Sequence, residues 1–154
     1  SAASDVYKRQ SLIDSQHLII SSEGYYPEKI KLNNSDSYII DMTKLDQKYI
    51  LEDLLFDYDS YKLTESVKNF LFLYAQWLKQ NDEINIRIEG HTDSVGSDNY
   101  NMTLSENRAN EVLNFFVSEG ILKNRMKAIG FGDKIPVAEG YDGPKNRRIE
   151  ITAF

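Results

Sequence analysis

The spacing of apolar residues changes in the middle of the chain, and this change strongly constrains the fold. Isoleucines alternate with polar residues over residues 84–89, which predicts a half-buried strand. A polar loop follows over residues 90–101. Thr103 and Glu106 then have the spacing of a capping box, which predicts a helix that begins at Thr103 and ends at Gly120. Its predicted core face consists of Ala109, Val112, Leu113 and Phe116.

Similar patterns on both sides of this unit extend the prediction to a whole domain. Residues 49–56 predict a strand, and helical spacing of apolar residues predicts a helix over residues 64–80. Residues 125–130 and 147–154 predict two further strands. The order strand, helix, strand, helix, strand, strand predicts an α+β or α/β sandwich, in which the helices pack on one face of a mixed four-stranded sheet; we take α+β as the fold class.

The first third of the sequence follows a different pattern. Residues 1–10 lack an initiator methionine and the apolar core of a signal peptide, so we expect a non-native or disordered tail and a missing natural start. Residues 11–46 predict a short β-rich segment before a domain formed by residues 47–154. Its apolar clusters lie at residues 18–20, 30–32 and 38–40. Such a segment is either the end of a truncated β-domain or an extra sheet packed on the domain.

Composition and charge exclude several classes of function. The 24 acidic and 18 basic residues give a net charge of −6, which argues against a nucleic-acid partner, since such binding depends on clustered Lys and Arg. Without cysteine, the chain has neither a disulfide framework nor a thiolate catalyst. His91 lies in a loop without a second ligand at suitable spacing, so we expect no metal and no cofactor. No apolar run approaches the roughly 20 residues that span a bilayer.

Asp93 and Arg108 are the candidate functional pair. Asp93 follows the central strand and its carboxylate favours an ammonium group, whereas the planar guanidinium of Arg108 suits a carboxylate. A site with both would bind the zwitterionic head of an amino acid, and the free amides at the helix start would reinforce carboxylate binding. If the first two strands of the domain run parallel, Asp57 and Asp93 meet at their carboxyl ends, where ligands bind. Alternatively, Asp93 and Arg108 bridge each other and only hold the loop.

The stretch IRIEGHTDSVGSDNYNMTLSENRANEVLNFFVSEG resembles the signature of the OmpA-like peptidoglycan-binding domain. This family includes outer-membrane porins, peptidoglycan-associated lipoproteins and flagellar stator proteins. The resemblance extends to FDYDS, AIGFGDKIP and NRRIEI and covers residues 49–154. It implies a βαβαββ fold and non-catalytic binding of the peptidoglycan stem peptide that contains meso-diaminopimelate. It also implies a tether on the periplasmic side of the bacterial outer membrane, with membrane association through the missing N-terminal part.

The resemblance assigns roles to individual positions. Asp93 and Arg108 match the aspartate of GHTD and the arginine of LSxxRA, which are expected to hold the zwitterionic end of diaminopimelate. Other matched positions line the pocket or donate hydrogen bonds in the family, namely Phe56, Asp57, Leu104, Thr92 and Asn101. A third group is expected to support the loops, namely Gly96, Asn146 and Arg147.

Three further interpretations remain open at the level of sequence. ISSEGYYPEKIKL resembles the closing strands of carboxypeptidase-regulatory-like β-sandwiches, and the order of segments resembles Bacteroidetes envelope proteins. A protein-docking module of the same fold that does not bind the wall is the main alternative function. Asp57 and Asp59 resemble the nucleophile pair of aspartate-dependent phosphatases, but the chain supplies no convincing set of magnesium and phosphate ligands.

Overall fold

The computed structural model describes residues 9–14, 17–33, 40–52, 56 and 60–154, which form two sheets and two helices. The elements are β1 (Arg9–Asp14), β2 (His17–Ser21), β3 (Glu28–Lys31), β4 (Tyr49–Glu52), α1 (Glu65–Gln80), β5 (Ile86–Gly90), α2 (Asp98–Ser118), β6 (Met126–Gly130) and β7 (Arg148–Ala153). Neither helix in this part of the chain has the length and apolarity that a membrane span requires.

The larger sheet has the strand order β4-β7-β5-β6. β5 and β6 are parallel, and β7 is antiparallel to both β4 and β5. β4 and β5 therefore run in the same direction, and their carboxyl ends lie at one edge of the sheet, as a ligand site there requires. The predicted α+β fold, with its mixed four-stranded sheet and βαβαββ order, is confirmed. β4 is described over Tyr49–Glu52; residues 53–55 of the predicted strand lie outside the described residues, and Phe56 forms an isolated bridge with Leu63.

The two helices cover one face of this sheet. Side chains alternate between the faces of a strand, and the buried isoleucines of β5 and β7 share the hydrophobic core with the helices. These are Ile86, Ile88, Ile149 and Ile151. Of the aromatic residues of α1, Tyr74 and Trp77 are buried in this core, whereas Phe72 is exposed.

Two glycines allow α2 to lie directly on the sheet. A Cβ atom added at Gly90 would lie 2.1 Å from the Ser105 carbonyl oxygen, and one added at Gly130 would lie 2.5 Å from the Glu106 nitrogen. Contacts this short between a side chain and backbone do not occur, so any other residue would force the helix away. The close approach fixes the position of α2 relative to the loop after β5.

The predicted start of α2 at Thr103 is wrong, because the helix begins five residues earlier. Ser97 is the N-cap, and its side chain accepts a hydrogen bond from the Tyr100 nitrogen at 3.3 Å. The negative charge of Asp98, in the first turn, interacts favourably with the positive N-terminal end of the helix dipole. Thr103 lies inside the helix and donates its hydroxyl to the Asn99 carbonyl oxygen. The free amides expected to assist Arg108 therefore lie about 15 Å away along the axis.

The β-rich N-terminal segment forms a second sheet of three antiparallel strands, in the order β1-β2-β3. β2 contains the first predicted apolar cluster, and β3 contains Ile30 of the second and ends at Lys31, before Leu32; residues 38 and 39 of the third lie outside the described residues. β1 begins at Arg9, so the tail predicted for residues 1–10 does not extend to residues 9 and 10. Within the described part of the chain, β1 pairs with β2 alone, and its sequence RQSLID gives no periodic signal.

Tyr26 joins this segment to the core of the larger sheet. Its side chain is completely buried and contacts the rings of Tyr49, Tyr74 and Trp77. The Tyr26 hydroxyl accepts a hydrogen bond from the Ala153 nitrogen at 2.7 Å. Burial raises the pKa of Tyr26. The segment thus packs on the domain and contributes to its core.

Candidate functional site

Three segments meet at the edge of the sheet where β5 ends. The loop over residues 91–97 leaves β5, and α2 packs behind it through Asn101, whose Nδ2 donates to the Asp93 carbonyl oxygen at 3.3 Å. Arg108 lies on the same buried face of α2, about 10 Å further along the helix axis. Side chains of a helix tilt toward its N-terminus, and this orients Arg108 toward the end of α2 where Asp93 lies.

Asp93 is partly buried and already paired with a cation. Its Oδ2 atom lies 2.7 Å from Nη1 of Arg147, and its side chain is 17% exposed. Its Oδ1 atom accepts a hydrogen bond from the Val95 nitrogen at 3.3 Å. The ion pair of Asp93 thus involves Arg147, 54 residues further along the chain. Among the described residues, Asp93 pairs with Arg147, and no ion pair between Asp93 and Arg108 is found, so the structure gives no support to the alternative in which those two bridge each other.

Among the charged groups of the predicted site that the structure describes, Arg108 is the most buried, with 6% of the residue exposed. Its Nε atom donates to the Ser60 carbonyl oxygen at 3.0 Å. Its guanidinium carbon lies 5.0 Å from the centre of the Phe56 ring, within the range of a cation–π interaction. Phe56 and Ser60 therefore both contact the guanidinium group. A planar cation fixed in this way is suited to a carboxylate.

Polar contacts attach the loop over residues 131–147 to the loop that carries Asp93. Asp142 accepts hydrogen bonds from the backbone nitrogen and the hydroxyl of Ser94. This contact lowers the pKa of the exposed Asp142 carboxyl. Asn146 is buried, with Oδ1 accepting from the Val137 nitrogen and Nδ2 donating to the Tyr141 carbonyl oxygen. Asn146 thus organises the loop, as expected of a supporting residue.

The remaining predicted residues occupy different environments. Leu104 is half-buried on α2. Thr92 is buried, and its Oγ1 has no hydrogen-bond partner among the described residues. Gly96 has a φ of +107°, which favours glycine. Asp57 lies outside the described residues, as does Asp59, on which the phosphatase alternative depends.

A second ionic cluster lies on the face of the sheet opposite the helices. Its centre is Lys48, whose Nζ is 2.6 Å from Glu150 Oε2 and 3.2 Å from Glu89 Oε2. Ligand atoms of Glu89, His91 and Glu150 lie within 4.8 Å of one another, and Lys48 neutralises part of the negative charge of this group. Burial, together with the charge of Arg148, lowers the pKa of His91 to about 4. His91 is therefore neutral at pH 7.

Two contacts of the site could not be found from the sequence. Ser60 and Asp142 each lie 48 residues from the group that they contact; Asp142 belongs to none of the quoted motifs, and Ser60 ends the FDYDS motif without a role assigned to it. Arg147 was expected only as a loop clamp, and the NRR motif is the signal that pointed to it. The structure places it directly on the Asp93 carboxylate.

A two-layer α+β domain with an anionic and a cationic side chain near the carboxyl edge of its sheet has the features of a domain that binds small polar ligands. The OmpA family matches residues 55–150, and the chain belongs to this family. The resemblance in the sequence motifs is thereby confirmed.

Individual relatives agree with this assignment. The chain is 40% identical over 102 residues to outer membrane porin F of Pseudomonas aeruginosa, a match that covers 64% of this chain and 29% of the porin. It thus spans well under two thirds of that relative. The crystal structure of the peptidoglycan-associated lipoprotein from Burkholderia pseudomallei is similar, with a TM-score of 0.60 and 33% identity over 66% of this chain and 88% of the lipoprotein. A MotB-like protein from Desulfovibrio vulgaris gives a TM-score of 0.62 and 28% identity over 69% and 71% of the two chains.

Proposed function

We propose that this domain binds peptidoglycan without cleaving it, through the zwitterionic end of diaminopimelate in the stem peptide. The observation that carries the proposal is the placement of Asp93 and Arg108 around the N-terminal half of α2, each held by backbone and side-chain contacts. The carboxylate would bind the ammonium group of the ligand, and the guanidinium its carboxylate. The Burkholderia relative is itself a peptidoglycan-associated lipoprotein.

In this proposal the domain is a tether. It would attach an outer-membrane or periplasmic protein to the wall, with the binding domain on the periplasmic side of the outer membrane. Outer membrane porin F is a relative from that membrane. A single zwitterion provides few contacts, so each site would bind modestly and attachment would depend on many sites along the wall.

Co-sedimentation with purified peptidoglycan sacculi tests the proposal. Asp93→Asn and Arg108→Gln each remove a charged contact at little change in size, and such a contact contributes about 1.5–3 kcal/mol, or about a 10- to 100-fold change in affinity. We expect both variants to lose most of their binding, and free meso-diaminopimelate to compete with the wall for the unmodified chain.

Asp82→Asn and Lys123→Gln are matched controls. Both residues are exposed, and each follows the C-terminal end of a helix, whereas Asp93 precedes the N-terminal end of α2. They should bind like the unmodified chain. Urea denaturation of each variant establishes that it is folded. Equal retention of the unmodified chain and the Asp93 and Arg108 double variant would refute the assigned site. A folded chain that does not sediment with sacculi at all would favour the protein-docking module instead.

A further inference from the structure

The Asp93 carboxylate is not an isolated anion, because it already forms an ion pair within the chain. Arg147 Nη1 lies 2.7 Å from its Oδ2 atom, and the two side chains are 35% and 17% exposed. A ligand ammonium that approaches Asp93 therefore meets an ion pair. It must share the carboxylate with a guanidinium of the same charge.

The presence of Arg147 beside Asp93 adds a positive charge to the surface that a ligand meets. Within the predicted pair and the partner of Asp93, Asp93 carries one negative charge, and Arg108 and Arg147 carry one positive charge each. A ligand with an ammonium group alone would add a third positive charge beside Arg147. A ligand that has a carboxylate next to its ammonium brings the anion that offsets this repulsion.

The position of Arg147 is fixed by the loop that carries it. Its backbone nitrogen donates to the Pro144 carbonyl oxygen at 3.0 Å. The preceding residue, Asn146, is buried, and its side chain forms hydrogen bonds with the backbone of Val137 and Tyr141 in the same loop. Asp142 attaches the same loop to Ser94, next to Asp93. The Arg147 guanidinium is therefore held next to Asp93 by a loop that is itself fixed by hydrogen bonds.

We propose that Arg147 determines the specificity of the site, because its ion pair with Asp93 disfavours ligands that end in a bare ammonium and favours those that end in a zwitterion. This inference rests on the proposed function. Its consequence concerns stem peptides. Diaminopimelate ends in an ammonium with an adjacent carboxylate, whereas a lysine at the same position ends in the ammonium alone, so Arg147 would discriminate between the two.

The test is calorimetric titration of the chain with two synthetic tripeptides, L-Ala-D-Glu-meso-diaminopimelate and L-Ala-D-Glu-L-Lys. The measured quantity is the ratio of the two affinities. We expect the unmodified chain to prefer the diaminopimelate peptide, and Arg147→Gln to reduce that preference at least tenfold, chiefly through tighter binding of the lysine peptide. Arg147→Lys, which keeps the positive charge, should retain most of the preference.

Lys145→Gln is the matched control, since Lys145 is exposed in the same turn and its removal changes the net charge equally. Its ratio should equal that of the unmodified chain. An unchanged ratio in folded Arg147→Gln, alongside clear binding of the diaminopimelate peptide, would overturn the role of Arg147 and leave the proposed function standing. Failure of the unmodified chain to bind either peptide or sacculi would overturn both.

Discussion

The contact between Gly90 and α2 leads to a prediction about stability and binding together. In Gly90→Ala the new Cβ would start 2.1 Å from the Ser105 carbonyl oxygen, whereas ordinary contacts begin at 3.4 Å. The helix would have to move by about 1.3 Å, the difference between the two distances. Both atoms are held by the backbone, so no flexible side chain can absorb the movement.

The displacement would act on the site through two hydrogen bonds of α2. Ser105 Oγ accepts from the Gly132 nitrogen at 2.8 Å, and Asn101 Nδ2 donates to the Asp93 carbonyl oxygen at 3.3 Å. Overpacking of this kind costs about 2–3 kcal/mol. For a chain of this length we expect the melting temperature to fall by about 4–12 °C. The loop of Asp93 would also lose its connection to the helix, so wall binding should weaken in protein that is still folded.

Urea denaturation measures the stability, and co-sedimentation with sacculi under native conditions measures the binding. Gly140→Ala is an informative control, because Gly140 has a φ of +70° but nothing within 4 Å of an added Cβ. It isolates the cost of backbone conformation, about 1 kcal/mol. If Gly90→Ala were no less stable than Gly140→Ala, the argument that close packing positions α2 would be refuted.

Two further predictions concern buried polar groups. Burial and Arg148 lower the pKa of His91 to about 4, so between pH 7 and pH 5 the unfolded chain binds a proton that the folded chain does not, and stability should fall by about 2 kcal/mol as the pH falls. His91→Gln should remove this part of the pH dependence in urea denaturation, and identical pH slopes for the two proteins would contradict the assignment. Tyr26→Phe removes the hydroxyl that accepts from the Ala153 nitrogen and should cost about 1–2 kcal/mol in the same assay. Tyr61→Phe, at an exposed position, should cost less than about 0.5 kcal/mol, and equal losses in the two would argue against the role of Tyr26.

Local pattern was sufficient to predict most of the fold. Periodic spacing reports which face of an element is buried, and neighbouring residues suffice to show it. Examples are the alternation over residues 84–89 and the helical spacing of Val112 and Phe116. The start of α2 was missed because its first turns are polar and lack an apolar period. There the helix is specified by the Ser97 cap, whose signal was hidden in a loop rich in Asp, Ser and Gly.

The candidate site was less predictable, because its contacts join distant parts of the chain. Spacing and motif indicated that Asp93 and Arg108 belong to one site. The partners that hold them, Arg147 and Ser60, lie 54 and 48 residues away and depend on the sheet order. Tyr26 was missed for the same reason, since a turn-rich segment gives no sign that one of its aromatic rings enters the core of the following domain.

The attachment between the two loops of the site makes its shape sensitive to ionic strength. Arg147 with Asp93 and Asp142 with Ser94 join the two loops, and Lys134 with Asp98 joins the second loop to the start of α2; each contact involves at least one charge. The Debye length is about 8 Å at physiological ionic strength and about 3 Å at 1 M salt, so the ion pairs weaken as salt increases. Added salt would then weaken binding in two ways. It would screen the attraction between the ligand and Asp93, and it would weaken the contacts that hold the loop of Arg147 in place. The ionic strength of the surroundings would thus influence how tightly the two loops hold together.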